Sequence, residues 1–383
     1  GGYVELSDGI GATNLCGCYE QTGGYVRAER VYMRGGKISG GYLKTTYALG
    51  SPDGVRDGTT FTISDGVVNI GTHLLTNSRA PLKFSITGGV TVFGGAADRV
   101  SEANVTVGVG LKKMNKTGGT VTALSDAKII ATNYVDASTL AHDGTVSLAD
   151  GAYVAGNVNT SGTVSVGGDV YVAGSVKGGS VTGGRNSLLA VEAKNGTAVE
   201  TTSGGLSGNL VAASSANGAG VKLAGAVEKP SYGGNTSIST VVARGTSSDA
   251  AFTGGISANG TVIAANTGSG AGAQVGKFEM GDDTSAQITG YSANGEGVVF
   301  TEGFGTNDGT ITNYGSITGA GRTCGVNFAL ASGDLKLRLA SNSAGPFCAY
   351  AGSGAAVKKT DNVSFYSTYD CPVIYAAGIG ETR

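Results

Sequence analysis

The chain has no tryptophan, two histidines, five prolines and five cysteines, and only 14 % of its 383 residues are charged. Each shortage narrows the reading. Two histidines, His73 and His142, leave little material for a histidine-dependent triad or a metal site, and both fit surface positions better than catalytic ones. Neither a G-x-S-x-G nucleophile turn nor a phosphate-binding loop occurs, and Gly268 to Ala273 (GSGAGA) reads as a turn. Five prolines and no Gly-X-Y period exclude collagen, although glycine supplies 69 residues. No run of 18 apolar residues exists, so no segment reads as a membrane-spanning helix. Low charge with 40 % hydrophobic residues is the reverse of the disordered signature.

Positive charge is thin as well. The densest basic spots are Lys112-Lys113 with Lys116, and Lys358-Lys359, in a chain of net charge −2. Neither can track a phosphate backbone and neither is interleaved with aromatics, which argues against a nucleic-acid partner. Long amphipathic helices are also missing; the best window, Asn186 to Val199, reads as a loop or a single helical turn because Gly196 and β-branched neighbours weaken it.

What the chain does contain is repetition. Residues 143 to 158 read DGTVSLADGAYVAGNV and residues 161 to 176 read SGTVSVGGDVYVAGSV, identical at nine of sixteen positions at an offset of 18. A unit this short buries its apolar side only by stacking on the next copy, so the period is that of one β-solenoid coil. Val146 and Leu148 match Val164 and Val166 on one face of a period-2 strand. Ala152 and Val154 match Val170 and Val172, which sends Tyr153 and Tyr171 to the outer face, with Gly156 and Gly174 at the corner. The competing reading of the same alternation is a set of antiparallel hairpins.

Weaker copies of this grammar recur. Gly-Thr starts appear at Gly58, Gly119, Gly144, Gly162, Gly260 and Gly309, and turn signals at Ser64-Asp65-Gly66, Ser125-Asp126-Ala127 and Ala149-Asp150-Gly151. Ser-Ala-Asn-Gly occurs at Ser215, Ser257 and Ser292, where Asn-Gly suits a turn of positive φ. Irregular spacing implies loops of variable length between coils. At 18 residues and about 4.8 Å per coil, a fully coiled chain reaches on the order of 100 Å.

The ends differ from the middle. Cys16 and Cys18 lie near the start, Cys324, Cys348 and Cys371 in the last 60 residues, and ten of 16 tyrosines share those ends. Three segments follow: an N-terminal cap or assembly segment (1–50), a solenoid-like repeat region (51–323) and a C-terminal cap or assembly segment (324–383). A stack of coils leaves strand edges open at its two ends, which are either covered or used for pairing. The five cysteines are accordingly candidates for disulfides or assembly, and their odd number leaves one for intermolecular pairing. Cys16-Gly17-Cys18 lacks the second close pair or histidine that a zinc set needs.

Carboxylates offer no convergent set. The candidates are Asp282-Asp283 with Glu279, then Glu296 and Glu302, and neighbours on a strand point to opposite faces. No catalytic residue, cofactor site or metal site is assigned, and the chain is read as not an enzyme. A start at Gly1 without a targeting segment, low charge and abundant Gly, Ser and Thr read as a mature, extracellular or cell-surface product.

The stretch Asn307 to Gly319 (NDGTITNYGSITG), with the 18-residue duplicate, resembles the β-helical passenger regions of bacterial autotransporters and haemagglutinin-like adhesins. The likeness covers residues 51 to 323 and is one of repeat style. It implies a surface-displayed β-rod and carries over no functional residue. The fold expected is all-β, a parallel β-helix or solenoid-like rod with distinct terminal caps, the alternative being a multi-domain antiparallel β-sandwich. The function expected is a structural subunit of an extracellular microbial filament, sheath or surface layer, a homopolymer joined head to tail through its terminal segments. The alternative is a surface-displayed adhesin binding glycans or host ligands, and the third reading is a polysaccharide-cleaving β-helix enzyme.

Overall fold

The computed structural model describes residues 2–6, 9–10, 17–50, 60–70, 73–75, 83–86, 90–93, 120–123, 128–131, 134–135, 139–142, 144–229, 238–279, 286–302, 310–313, 316–331, 335–339, 347–367 and 374–378. Among them there is no helix, and the strand pairings run parallel. Parallel neighbours cannot be joined by hairpins, so the chain must travel round a coil between paired strands. This is the solenoid-like fold and not the antiparallel sandwich. The chain forms two compact units, Gly1–Gly179 and Ser180–Arg383.

In the first unit the duplicate behaves as two successive coils. Val146 pairs with Val164, Leu148 with Val166, Tyr153 with Tyr171 and Val154 with Val172, each 18 residues on. The alternation assigns the faces as the sequence indicates: Val146, Leu148, Val164, Val166, Val154 and Val172 are buried, whereas Thr145 and Tyr153 are exposed. The Tyr153 and Tyr171 rings lie 4.9 Å apart, the spacing of adjacent strands. The Gly156/Gly174 corner is tight. A Cβ on Gly174 would stand 2.5 Å from the Gly156 carbonyl.

Earlier in this unit the strands are longer and bent. Tyr25–Tyr32, Gly35–Gly50 and Thr60–Ile70 align Tyr25 with Tyr42 and Val67, so Gly24, Gly41 and Gly66 fall in one column. Their φ angles are 74°, 85° and 85°, a region that only glycine enters freely. Ser64-Asp65-Gly66 is therefore a bend inside a continuous strand and not a turn that ends one.

In the second unit one series of rungs runs Leu188–Ala193, Leu210–Ser215, Ser239–Gly245, Gly260–Asn266, Gln287–Ser292, Ile317–Gly321, Phe347–Ala351 and Ile374–Gly378. The first of these corrects the reading of Asn186 to Val199 as a loop or helical turn. Leu189, Val191 and Ala193 are buried at every second position, and pairing with Leu210–Ser215 outweighs the local preference. Across the interior runs the series Val221–Glu228, Phe252–Ile256, Ala273–Phe278, Glu296–Phe300 and Cys324–Phe328. Its inward aromatics stack: Phe300 lies 5.1 Å from Phe328 at 13°, and Phe278 meets Phe300 edge-on at 5.5 Å. Phe365 closes the cluster, edge-on to Phe328 at 5.4 Å.

Corners in this unit are pinned by side chains. Ser215 Oγ donates to the Gly196 carbonyl at 2.6 Å and Ser292 Oγ to the Gly270 carbonyl at 2.7 Å. Between them in the same column, buried Asn266 donates through Nδ2 to Asp249 O at 2.6 Å and to Ser247 O and Ala271 O at 3.2 Å. Asn217 reaches Lys194 O at 3.0 Å, Asn294 reaches Thr267 O at 3.2 Å and Ser353 reaches Arg322 O at 3.0 Å. Apart from Asn266's bond to Ala271 within its own corner, each donor sits on the coil that follows the turn it holds. Two of the three Ser-Ala-Asn-Gly elements thus share one corner. The third, at Ser257, lies just before Gly260–Asn266 and uses the positive φ of Asn259, 67°.

Candidate functional site

The cysteines are spread over different environments. Cys18 opens the strand Cys18–Gln21 and is exposed, Cys348 is half-buried in Phe347–Ala351, and Cys324 is fully buried; all three are free thiols. Cys16 and Cys371 lie outside the described residues. Burial chiefly, and then the nearby Glu296 carboxylate, pushes the Cys324 thiol up to about 11. Its Sγ lies 3.3 Å from Val326 O, directed inside the coil.

The carboxylate candidates do not converge. Glu279 forms an ion pair with Lys277 at 2.5 Å, and hydrogen bonding to Glu279 raises the Lys277 pKa. Glu296 accepts from Asn327 Nδ2 at 3.0 and 3.1 Å and pairs with Lys358 at 3.4 Å, so three successive rungs share one polar cluster. Glu302 borders a shallow groove of about 410 Å³ with Gln274 and Lys277, over a floor that includes Gly225, Gly254 and Gly276. The groove forms where pairing slips between Lys222 and Ala226 and between Gly254 and Ile256, leaving glycine where side chains would fill it. Asp282 and Asp283 lie outside the described residues, as do Lys112, Lys113 and Lys116. Among the described residues no group of three or more His, Cys, Asp or Glu is placed to hold a metal, and no helix is long and apolar enough to cross a membrane.

The outer face of the eight-rung series is the most distinctive surface. Register places Tyr291, Ala320 and Tyr350 in one outward column, beside a second column of Thr289, Thr318 and Cys348. Tyr291 and Tyr350 are 49 % and 45 % exposed. The strands that carry them, Gln287–Ser292, Ile317–Gly321 and Phe347–Ala351, contain no charged residue. Val242 and Ile263, also outward, extend the apolar character to earlier rungs. Sequence reading did not find this surface. Its one local signal is that each tyrosine precedes the small residue closing its strand, Ser292 or Ala351.

No family model, curated protein or solved structure matches this chain.

Proposed function

We propose that the chain is a structural subunit of an extracellular microbial filament, sheath or surface layer that self-assembles end to end, with an architectural rather than catalytic role. The supporting observation is the state of the terminal rungs. In the first unit Tyr3–Glu5 pairs with Tyr25–Tyr32 and Cys18–Gln21 with Gly35–Gly50; in the second, Val357–Lys359, Val363–Ser367 and Ile374–Gly378 pair with Cys324–Phe328, Leu335–Leu339 and Phe347–Ala351. Among the described residues these are the pairings each of them makes, along one edge. An open parallel edge is a template for another strand running the same way.

The test is electron microscopy and light scattering of the purified protein over a concentration series under oxidising conditions. The full chain is expected to form fibres, whereas deletion of residues 1–20 is expected to keep its thermal transition and lose polymerisation. A full chain that stays monomeric at high concentration refutes the proposal. So does a folded truncation that forms fibres of normal length.

A further inference from the structure

We propose that the column Tyr291, Ala320, Tyr350 is a binding platform for an extended, uncharged β-1,4-linked glycan. The decisive contrast is with the other tyrosine columns. Tyr25 with Tyr42, and Tyr153 with Tyr171, occupy adjacent rungs, and each pair closes on itself at 4.9 Å, so its ring faces are used within the protein. Tyr291 and Tyr350 are separated by the rung of Ala320, whose methyl group leaves a gap between them. Neither ring has a ring contact among the described residues, and both are close to half exposed.

Spacing and chemistry select the occupant. Two rungs of a parallel ladder span about 9.6 Å. This is commensurate with the two-sugar repeat of an extended β-1,4-linked chain, in which every second ring presents the same face. A pyranose with equatorial substituents turns a patch of C–H groups toward an aromatic ring and its hydroxyls sideways. Tyrosine offers the apolar face and a polar tip, and Thr289 and Thr318 supply hydroxyls in the next column. The three strands carry no charged residue, which matches a neutral polymer; the nearest cations border the platform, Arg244 two rungs before Tyr291 in its column and Arg322 just past Ile317–Gly321. A glycan of α-linked sugars that coils does not repeat along a straight column. This inference is independent of end-to-end assembly, because the platform lies on a sheet face and not on a strand edge.

The experiment is depletion of the full-length protein from solution by microcrystalline cellulose, by chitin and by starch granules, each beside a sedimentation control without glycan so that polymerisation does not register as binding. Retention is expected on cellulose or chitin and not on starch. Tyr291→Ala and Tyr350→Ala should each lower the partition coefficient about tenfold, and the double variant should fall to background. Ala320→Tyr, which fills the gap and lets three rings stack on one another, should also lower it. Tyr153→Ala, in a column already closed, should leave it unchanged. Both platform residues are exposed, so unchanged thermal transitions are expected and serve as the folding control. The proposal is overturned if the wild-type protein binds neither β-glycan, if it binds starch equally well, or if the two tyrosine variants retain full binding. Such a failure leaves the fibre assay untouched.

Discussion

Replacing Val164 by aspartate probes the coil interior at its most regular point. Val164 is 0 % exposed and stands in register with Val146, also 0 % exposed. Removing a fully buried valine forfeits about 2 kcal/mol of burial. Leaving a carboxyl there without a partner adds about 2 to 4 kcal/mol, whether the group is desolvated or forced to stay protonated. The sum, about 4 to 6 kcal/mol, is about a quarter or more of what a domain of ordinary stability has. Thr163→Asp, one residue away on the half-exposed outer side, should cost within about 0.5 kcal/mol. Guanidinium unfolding followed by circular dichroism compares the two, and hydrogen exchange over residues 139–179 localises the loss, because coil stacks need not unfold in one step. Burial raises the pKa of the introduced carboxyl above its unfolded value. The penalty is therefore full above that folded pKa and shrinks as pH falls, so the gap to wild type should narrow on acidification. Equal losses in the two variants, or no loss for Val164→Asp, would refute the inward and outward assignment.

Asn266→Ala should lower stability by about 3 kcal/mol, because it takes the side-chain donor from the Asp249 carbonyl and the acceptor from the Gly268 amide, whose N–H donates to Asn266 Oδ1 at 2.8 Å, whereas the Ser247 and Ala271 carbonyls keep the Gly270 and Ala251 amides; a shift in the thermal transition measures it. Cys324 should resist iodoacetamide in the native protein at pH 8 while the exposed Cys18 is alkylated, as mass spectrometry after quenched labelling would report. Its raised pKa, about 11, means the folded state holds that proton more tightly, so its contribution to stability is full below the unfolded thiol's pKa and is lost as pH rises toward 11.

The fold was legible where coil length is constant. Residues 143–176 repeat at 18, and the same offset links Thr139 to Asn157 and Val158 to Val176, so face and register could be read together. Elsewhere the coil runs from 17 residues, between Tyr25 and Tyr42, to 38, between Val90 and Lys128, and no fixed period reveals which residues are neighbours. Leu188-Leu189 illustrates the cost. The pair looks like part of a helical stripe, and only stacking against Leu210-Val211 decides that Leu189 turns inward. The tyrosine platform was hidden for the same reason, since Tyr291 and Tyr350 are 59 positions apart in sequence and two rungs apart in the structure.

The side-chain pins at the corners of the second unit give its stack a direction. Ser215, Asn217, Asn294 and Ser353 each reach back to the turn of the coil before, so a turn is completed only when the next coil arrives. Growth of such a stack works as a ratchet, in which every added coil locks its predecessor and leaves its own carbonyls waiting. The stack is thereby polar along its length, since at each of these corners the donor belongs to the later coil and the acceptor to the earlier one.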